Sequence, residues 1–461
     1  MTAVFWFRRD LRVQDNEGLL AAYNFASSSG SNKIYACYFY NPLAYEQLEG
    51  IRQHSLTESI RALSSSIEQK LNVAAASSSK DLAEKLIEIA QKAKTGKVFA
   101  MHAFDPEGMR QQDAVAKILA KSNVTLELVG SAYAVPPGLV MKPDGTNYRV
   151  YTPFYKAWLG LLDISPRKFP SKEVSWVKLS NVSEIPKPTK PSPIKVIAGE
   201  AFALRTLARF KKRALRNYDE NRNRADLSGT SHLSHALAHG EIHPRTILAG
   251  LGNTSAEEVF RKEIAWREFY ADVLFHYPHT LTDYYEPKFK KLRYDTGKTA
   301  EKRFQAWCRG ETGYPMVDAG MRQLVTEGWM HNRVRMIVAS FLVKDLHLEW
   351  TQGAAFFEAH LSDYDPASNS HGWQWTAGCG TDASPYYRIF NPILQGLKFD
   401  PDGDYVRKYI PELRHIAGSA VHEPWEIFEG YQHGYPEPIV DHNVERNESL
   451  ARLEELKQIS K

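Results

Sequence analysis

The chain has 461 residues, of which 43% are hydrophobic and 24% charged, an ordinary globular composition too long for a single core. A formal net charge of +4, from 58 Lys+Arg against 54 Asp+Glu, permits a nucleic-acid partner without arguing for one. Three scattered cysteines, Cys37, Cys308 and Cys379, exclude a disulfide framework and a Cys-spaced metal site, and no run approaches the ~20 apolar residues of a membrane span.

In chain order, Ala3 to Phe7 (AVFWF) and Lys33 to Tyr40 (KIYACYFY) read as buried strands. The opening MTAVFWFRRD has no basic region ahead of a long apolar stretch and does not read as a signal peptide. A helix is predicted from about Gly50 to Leu71, with Ile51, Leu56, Ile60, Leu63 and Ile67 near helical spacing. AAASSSK, at 74–80, reads as a loose loop. DLAEKLIEIAQKA then reads as a helix, KVFAMHAF as a strand, QQDAVAKILA as a helix and VTLELV as a strand. This alternation predicts a parallel, Rossmann-like α/β domain over residues 1–130, without a GxGxxG after its first strand. Residues 131–198 are rich in proline and weakly periodic, and are expected to be an interdomain linker. Residues 199–461 are predicted to form a larger, all-helical domain whose last helix is the charged RNESLARLEELKQISK.

Several stretches carry chemistry. GTSHLSHALAHG spans 229–240, and Thr230–Ser231 can cap a helix; an ordinary N-cap is the plainer reading, a phosphate site at free amides the sharper one. RFKKRALRNYDENRNR reads as a solvated helix face, with a polyphosphate or DNA contact as the alternative. In KEIAWREFY, Glu263 and Trp266 are three apart and share a helix face, while Arg267 and Glu268 face elsewhere. There an indole can stack on a base and the acid can accept from its polar edge, though a core helix also explains the Trp. In GWMHNRVRMIVASFLVKDLHLEW, Asn332 and Arg335 precede a buried run and need partners: a ligand, or for Arg335 a salt bridge to Asp363 or Asp365. DYDPASNSHGWQW sets two acids beside two indoles with no periodic pattern. GxSxG, HExxH and P-loop motifs are missing, and His331, His347, His360 and His371 lack ligand spacing, so no metal is expected.

These segments, with WFRRDLRVQDNEGL, TGYPMVDAGMRQL, GWQWTAGCGTDASPYYRIFNP and YIPELR, follow the order of the photolyase/cryptochrome family. The chain resembles in particular the class I cyclobutane pyrimidine dimer photolyases. The resemblance runs nearly throughout the helical half, and covers the α/β half chiefly through its first strand and the arginines after it. It implies a light-dependent DNA repair lyase using non-covalent FAD, reduced and anionic, which passes an electron to the dimer and regains it after both cyclobutane bonds open.

Carried over residue by residue, the resemblance implies FAD phosphates held by Tyr218, Thr230, Ser231, His232, Leu233 and Ser234. It places Arg267, Arg335, Asp363 and Asp365 among the flavin contacts, with Arg335 paired to Asp363, and sets Asn369 facing the flavin N5. Plant cryptochromes typically have Asp there; an Asn cannot lose a proton near neutral pH, which suits a reduced anionic flavin. Glu263, Trp266, Asn332, Met336 and Trp375 would form the cavity for the flipped dimer, with a proton on Glu263 for the thymine carbonyl. Arg333 and Arg388 would contact the DNA backbone without reading sequence. The (6-4) branch typically has a His pair where this chain has MHNR, so a cyclobutane dimer is the expected substrate and a (6-4) photoproduct the alternative.

Trp373 and Trp350 match the family's electron relay, but its third position is Gly297, and Tyr294 is the nearby substitute. Folate-binding members generally place a Glu in the segment resembling AFDPEGMRQQD; here the aligned residue is Met109, with Glu107 displaced. The antenna is therefore open between methenyltetrahydrofolate, a deazaflavin or other flavin type, and none. The competing function is a cryptochrome-type photoreceptor, against which Glu263, Trp266, Asn332 and the short C-terminus weigh. The expected partner is UV-damaged DNA, with no obligate protein partner, a monomeric state, no membrane and a cytoplasmic location.

Overall fold

The computed structural model describes residues 2–180, 184–382 and 387–459. The chain falls into two compact units, Met1–Arg216 with Ser231–Pro278, and Asn217–Thr230 with His279–Lys461. In this grouping the helices between residues 199 and 278 fall mainly in the unit that holds the sheet.

The first unit is built on a parallel sheet. Its central strand, β1 (Ala3–Phe7), pairs with β2 (Lys33–Tyr40) on one side and β4 (Lys97–Ala100) on the other. With β3 (Asn72–Ala75) and β5 (Thr125–Leu128) the order is β3-β2-β1-β4-β5. All five residues of β1 are buried, as a strand covered on both faces requires. Side chains alternate between faces. Ala3, Phe5 and Phe7 pack with Leu19, Ala22, Ile60 and Leu63, while Val4 and Trp6 pack with Leu82, Leu86, Val115 and Leu119. Helices Glu17–Ser27, Ser79–Ala93 and Pro106–Ala120 begin where Asn16, Ser78 and Asp105 accept a backbone amide.

Three local expectations are corrected. The helix predicted to reach Leu71 ends at Ser66, where Glu68 and Gln69 turn to φ +57° and +59°. AAASSSK is not a loose loop throughout: Ala74 and Ala75 finish β3, paired with Phe39 and Tyr40. Four residues, half of them alanine, carry little strand propensity, so the neighbour makes this strand. The 131–198 stretch is more ordered than its prolines suggest. It holds helix Tyr151–Leu161 and strand β6 (Ser175–Trp176) on β2. Buried Asn72 donates to the Ala36 and Val177 carbonyls and accepts from Leu179, tying this stretch to the sheet.

The second unit is helical. Helices Gly297–Arg309, Pro315–Glu327, Asn332–Lys344, Trp350–His360 and Pro366–Ala377 share a core with Pro392–Phe399, Asp404–Tyr409 and His442–Ile459. Pro315, Pro366 and Pro392 stand in first turns, where a missing N–H costs nothing. Gly353 allows Trp350–His360 to approach Pro366–Ala377 closely: a Cβ there would lie 2.1 Å from the Trp373 ring. Among the described residues no helix is long and apolar enough to cross a membrane.

Candidate functional site

The second unit carries a polar helix end. On Asn332–Lys344, Val334, Ile337, Val338 and Phe341 face the core. Asn332, Arg335 and Met336 share another face by i, i+3, i+4 spacing; Asn332 is exposed and the other two half-buried. Arg335 Nη2 donates to Asp363 Oδ2 at 2.7 Å and its Nε to the Met330 carbonyl at 2.8 Å. The Asp363 carboxylate is buried, and its Oδ1 meets no donor among the described residues. A buried acceptor left open costs on the order of 1–3 kcal/mol, so this oxygen can accept from an N–H donor of a bound group.

The neighbouring residues have defined posts. Asp365 Oδ1 accepts from Ser368 N at 2.9 Å and caps Pro366–Ala377. Asn369 Nδ2 donates to the Ala354 carbonyl at 3.0 Å. His371 is fully buried and pushed down to about 3 by burial, so it is a neutral core residue. Trp375 is half-buried, its indole N–H on the Asp382 carbonyl at 3.2 Å. Arg333 spans Asn223 Oδ1 (2.8 and 3.2 Å) and the face of Phe399, whereas Arg388 is exposed. Buried Tyr218 lies under the Arg222 guanidinium, and Gly229 sits so close to the Asn221 carbonyl that a Cβ would come within 2.8 Å. Residues 383–386 of the GWQWTAGCGTDASPYYRIFNP stretch lie outside the described residues.

The tryptophans expected to relay electrons are Trp350 and Trp373, both buried, and neither indole N–H meets an acceptor among the described residues. Trp307 lies 6.1 Å from Trp373 but is closed off, its N–H donated to the Val338 carbonyl at 3.0 Å. Tyr294 is half-buried, with its hydroxyl on Tyr284.

In the first unit, helix Ser255–His276 starts with a Thr254/Glu257 capping box and presents Glu263, Trp266 and Arg267 half-buried. The Trp266 ring stacks on Tyr151 at 3.7 Å and 7°, so one indole face is already covered. Glu268 on the same helix is answered wholly from within the unit, by Ala134 N (2.5 Å), Val135 N (3.0 Å) and Trp158 Nε1 (2.6 Å). Burial raises its proton affinity and these donors lower it. Asp272 accepts from Gly138 N at 2.7 Å and is held up to about 6 by burial. The helix expected behind Thr230–Ser231 starts later than expected, at Ser234: His232 takes φ +52°, Leu233 stands at the cap with no side-chain bond, and Ser231 Oγ accepts from Leu233 N. Any anion binding here belongs to the loop.

The sequence reading overlooked a crevice in this unit. β1 and β4 diverge in connection at the sheet's switch point, and their carboxyl ends open a cavity of about 230 Å³. Trp6, Arg8, Tyr38, His102, Tyr133 and Arg267 are among its lining. Arg8 stacks over Trp6 at 4.7 Å, bonds Gly108 O and Gln112 Oε1, and is lowered to about 10 by burial. Arg267, expected with the flavin contacts, lies over Tyr133 at 4.6 Å and bonds the Ala132 carbonyl. Two arginines directly after a buried first strand were the available signal.

Comparison with known proteins agrees with this architecture. Residues 260–455 match the FAD binding domain of DNA photolyase, and residues 3–173 match DNA photolyase. A deoxyribodipyrimidine photo-lyase of Agrobacterium fabrum (strain C58) is 39% identical over 485 residues, covering 99% of this chain and 98% of that one. Among solved structures, a bacterial class III photolyase from Agrobacterium tumefaciens aligns with a TM-score of 0.87 at 38% identity, over 99% of this chain and 98% of its own. An archaeal photolyase from Sulfolobus tokodaii, solved with two FAD molecules, aligns with a TM-score of 0.85 at 26% identity, over 99% and 100%. The chain belongs to the DNA photolyase family, and its helical half is that family's FAD-binding domain.

Proposed function

We propose that this protein is a light-dependent lyase that splits cyclobutane pyrimidine dimers in UV-damaged DNA, with FAD reduced and anionic in the active state. The observation that carries the proposal is the Asp363 carboxylate, buried, half-answered by Arg335 and open on its other oxygen among the described residues, in a chain alike along nearly its whole length to a deoxyribodipyrimidine photo-lyase. When bound, the flavin supplies light absorption and one-electron transfer. The chain's residues do the rest. Arg335 and Asp363 hold the ring, Asp365 and Asn369 border it, and Tyr218 with the 230–234 loop holds the phosphates through hydroxyls and amides. Asn369 offers no ionisable proton, which favours an anionic ring. Trp266, Trp375 and Met336 give apolar surface to the dimer, and the Asn332 amide donates to its edge. Glu263 holds a proton for the thymine carbonyl, where negative charge accumulates. Arg333 and Arg388 supply charge to the DNA backbone.

The test is anaerobic illumination of the reduced protein with DNA bearing cyclobutane dimers, beside DNA bearing (6-4) photoproducts. Light-dependent loss of the cyclobutane dimer alone is expected. Loss only of the (6-4) product would move the substrate. Persistence of both lesions with FAD bound would turn the reading to a photoreceptor.

For a second chromophore, the crevice at the strand ends favours a flat, anionic, flavin-type group. Its walls combine indole and phenol rings with half-buried arginine, and a second FAD is present in the S. tokodaii relative. Glu107 is a poor folate ligand: it is exposed and paired with Arg110 at 2.6 Å. Denaturing the purified protein and identifying the released chromophores decides this, and a released folate would overturn it.

A further inference from the structure

Gly297 stands where a third relay indole was expected. It is exposed, opens a helix at φ +83°, and a Cβ there would touch nothing within 4 Å. The ring that meets Trp350 is Tyr284, 4% exposed, with centroids 6.0 Å apart at 87°. The Tyr284 hydroxyl lies 2.9 Å from Glu349 Oε1 and 3.1 Å from the Tyr294 hydroxyl. A phenol has one proton to give. Tyr284 gives it to the carboxylate, so Tyr294 donates to Tyr284, and the order is Tyr294, Tyr284, Glu349.

We propose that Tyr284 is the residue oxidised after Trp350, that Glu349 takes its proton, and that half-buried Tyr294 is the outlet to solvent. This rests on the flavin and Trp373–Trp350 reading above. Neither Trp373 nor Trp350 has an acceptor for its indole proton among the described residues. An oxidised indole held there keeps its proton, remains a strong oxidant and passes the vacancy on. A buried phenol behaves oppositely. Oxidised without a base it would become a buried, very acidic cation, which an apolar surrounding disfavours. With a carboxylate at 2.9 Å, electron and proton can leave together. Burial also raises the Tyr284 proton affinity, so prior ionisation is not the route.

The step balances. Light-excited oxidised flavin is the initial oxidant. Oxidised Trp350 gains one electron from Tyr284, the phenolic O–H bond breaks, and the proton passes to Glu349 Oε1. Trp350 returns to its neutral form and Tyr284 becomes a neutral phenoxyl radical. Tyr294 then gives one hydrogen atom to Tyr284 across 3.1 Å, and an external thiol gives one hydrogen atom to Tyr294. Trp307 is the competing branch, but it is fully buried and its N–H is fixed on a peptide carbonyl, which is no base.

Flash photolysis and spin resonance of the oxidised, FAD-loaded protein test this. In the native protein we expect a neutral phenoxyl signal whose rise shows a solvent deuterium isotope effect. Tyr284→Phe keeps the ring packing and should abolish that signal, leaving a longer-lived indole radical and slowing thiol-supported photoreduction about tenfold. Glu349→Gln should do the same; it carries the test if Tyr284→Phe does not fold. Tyr294→Phe should keep the phenoxyl signal and slow only its reduction by thiol. An undiminished phenoxyl signal in Tyr284→Phe, or its loss in Trp307→Phe instead, would overturn the proposal. Trp350→Phe separates the two readings. If it abolishes photoreduction while Tyr284→Phe changes nothing, only this inference fails; if Trp350→Phe also changes nothing, the relay itself is misplaced.

Discussion

Two acid-and-indole stretches, one in each unit, contrast usefully. Helix Ser255–His276 sets Glu263, Glu268 and Asp272 around Trp266; residues 363–375 set Asp363 and Asp365 before Trp373 and Trp375. In sequence they look alike. In the structure Glu268 is met by two amides and an indole N–H, whereas one oxygen of Asp363 meets nothing among the described residues. The indoles divide the opposite way. Trp266 is half-buried with one face covered, while Trp373 is sealed in the core. The filled valences of Glu268 tie it to the fold, whereas the open oxygen of Asp363 leaves it able to take a donor from a ligand.

The hardest way to strain that contrast is to remove an acid of each kind. Glu268→Ala strands three donors, two of them buried, at ~1–3 kcal/mol each, not additively, so an overall loss on the order of 3–5 kcal/mol is expected. Denaturation midpoints should fall equally with and without flavin. Asp363→Asn should instead leave the flavin-free protein nearly as stable and lower the flavin content on purification. Full flavin retention in Asp363→Asn, with an early midpoint, would put Asp363 beside Glu268.

Asp272, whose Oδ1 accepts from Gly138 N while its Oδ2 meets no donor among the described residues, adds a test through pH. Burial raises its carboxyl from 3.8 to about 6 in the folded chain. Between these values the native state binds more protons than the unfolded state, so stability falls as pH rises. The contribution is fully present below about 4 and gone above about 6. Asp272→Asn mimics the neutral form and can still accept from Gly138. Near neutral pH it should be more stable than the parent by up to ~2–3 kcal/mol, a gap that closes on acidification. Parallel midpoint–pH curves for the two proteins would refute the assigned shift.

How much of this was legible beforehand follows from the range of the interactions. β1 and β2 were readable because a strand buried on both faces must be apolar throughout, and the helical half because its 3.6-residue pattern is local. β3 was not, because its four residues become a strand only by pairing with β2. The 131–198 stretch hid a helix behind its prolines. Glu263 and Trp266 could be placed on one face by spacing alone. The difference between Glu268 and Asp363 could not, since Glu268 is answered from more than a hundred residues away, as is Asp272. Tyr284 was invisible for the same reason: Trp350 and Glu349 lie some 65 residues on.

The ligand-facing side is tested through Trp266. Its half-buried ring is expected to stack on the extruded dimer, an interaction of roughly 1–3 kcal/mol per base. Trp266→Ala should weaken binding of dimer-bearing DNA by that amount and leave undamaged DNA nearly unaffected. Titrations with both DNAs measure it. An equal loss on both would mean that the Tyr151 stack is the residue's whole purpose.

Glu263 is the subtlest case, because it shares a helix with an acid of the structural kind. Glu268 is buried and triply bonded, while Glu263, five residues earlier, is half-buried on the face of Trp266. If its task is to hold a proton for the thymine carbonyl, an amide of the same shape keeps the fit and can still donate a hydrogen bond, but cannot hand over a proton. Glu263→Gln is therefore expected to purify with full FAD, to melt with the parent and to bind dimer-bearing DNA as tightly. Its repair yield per absorbed photon should fall, but by less than tenfold, or under about 1.4 kcal/mol, because part of the hydrogen bond survives. The measurement is dimer loss against absorbed light, with both proteins fully reduced and saturated with the same DNA. Equal yields would remove Glu263 from the chemistry and leave it, like Glu268, an acid that serves its helix.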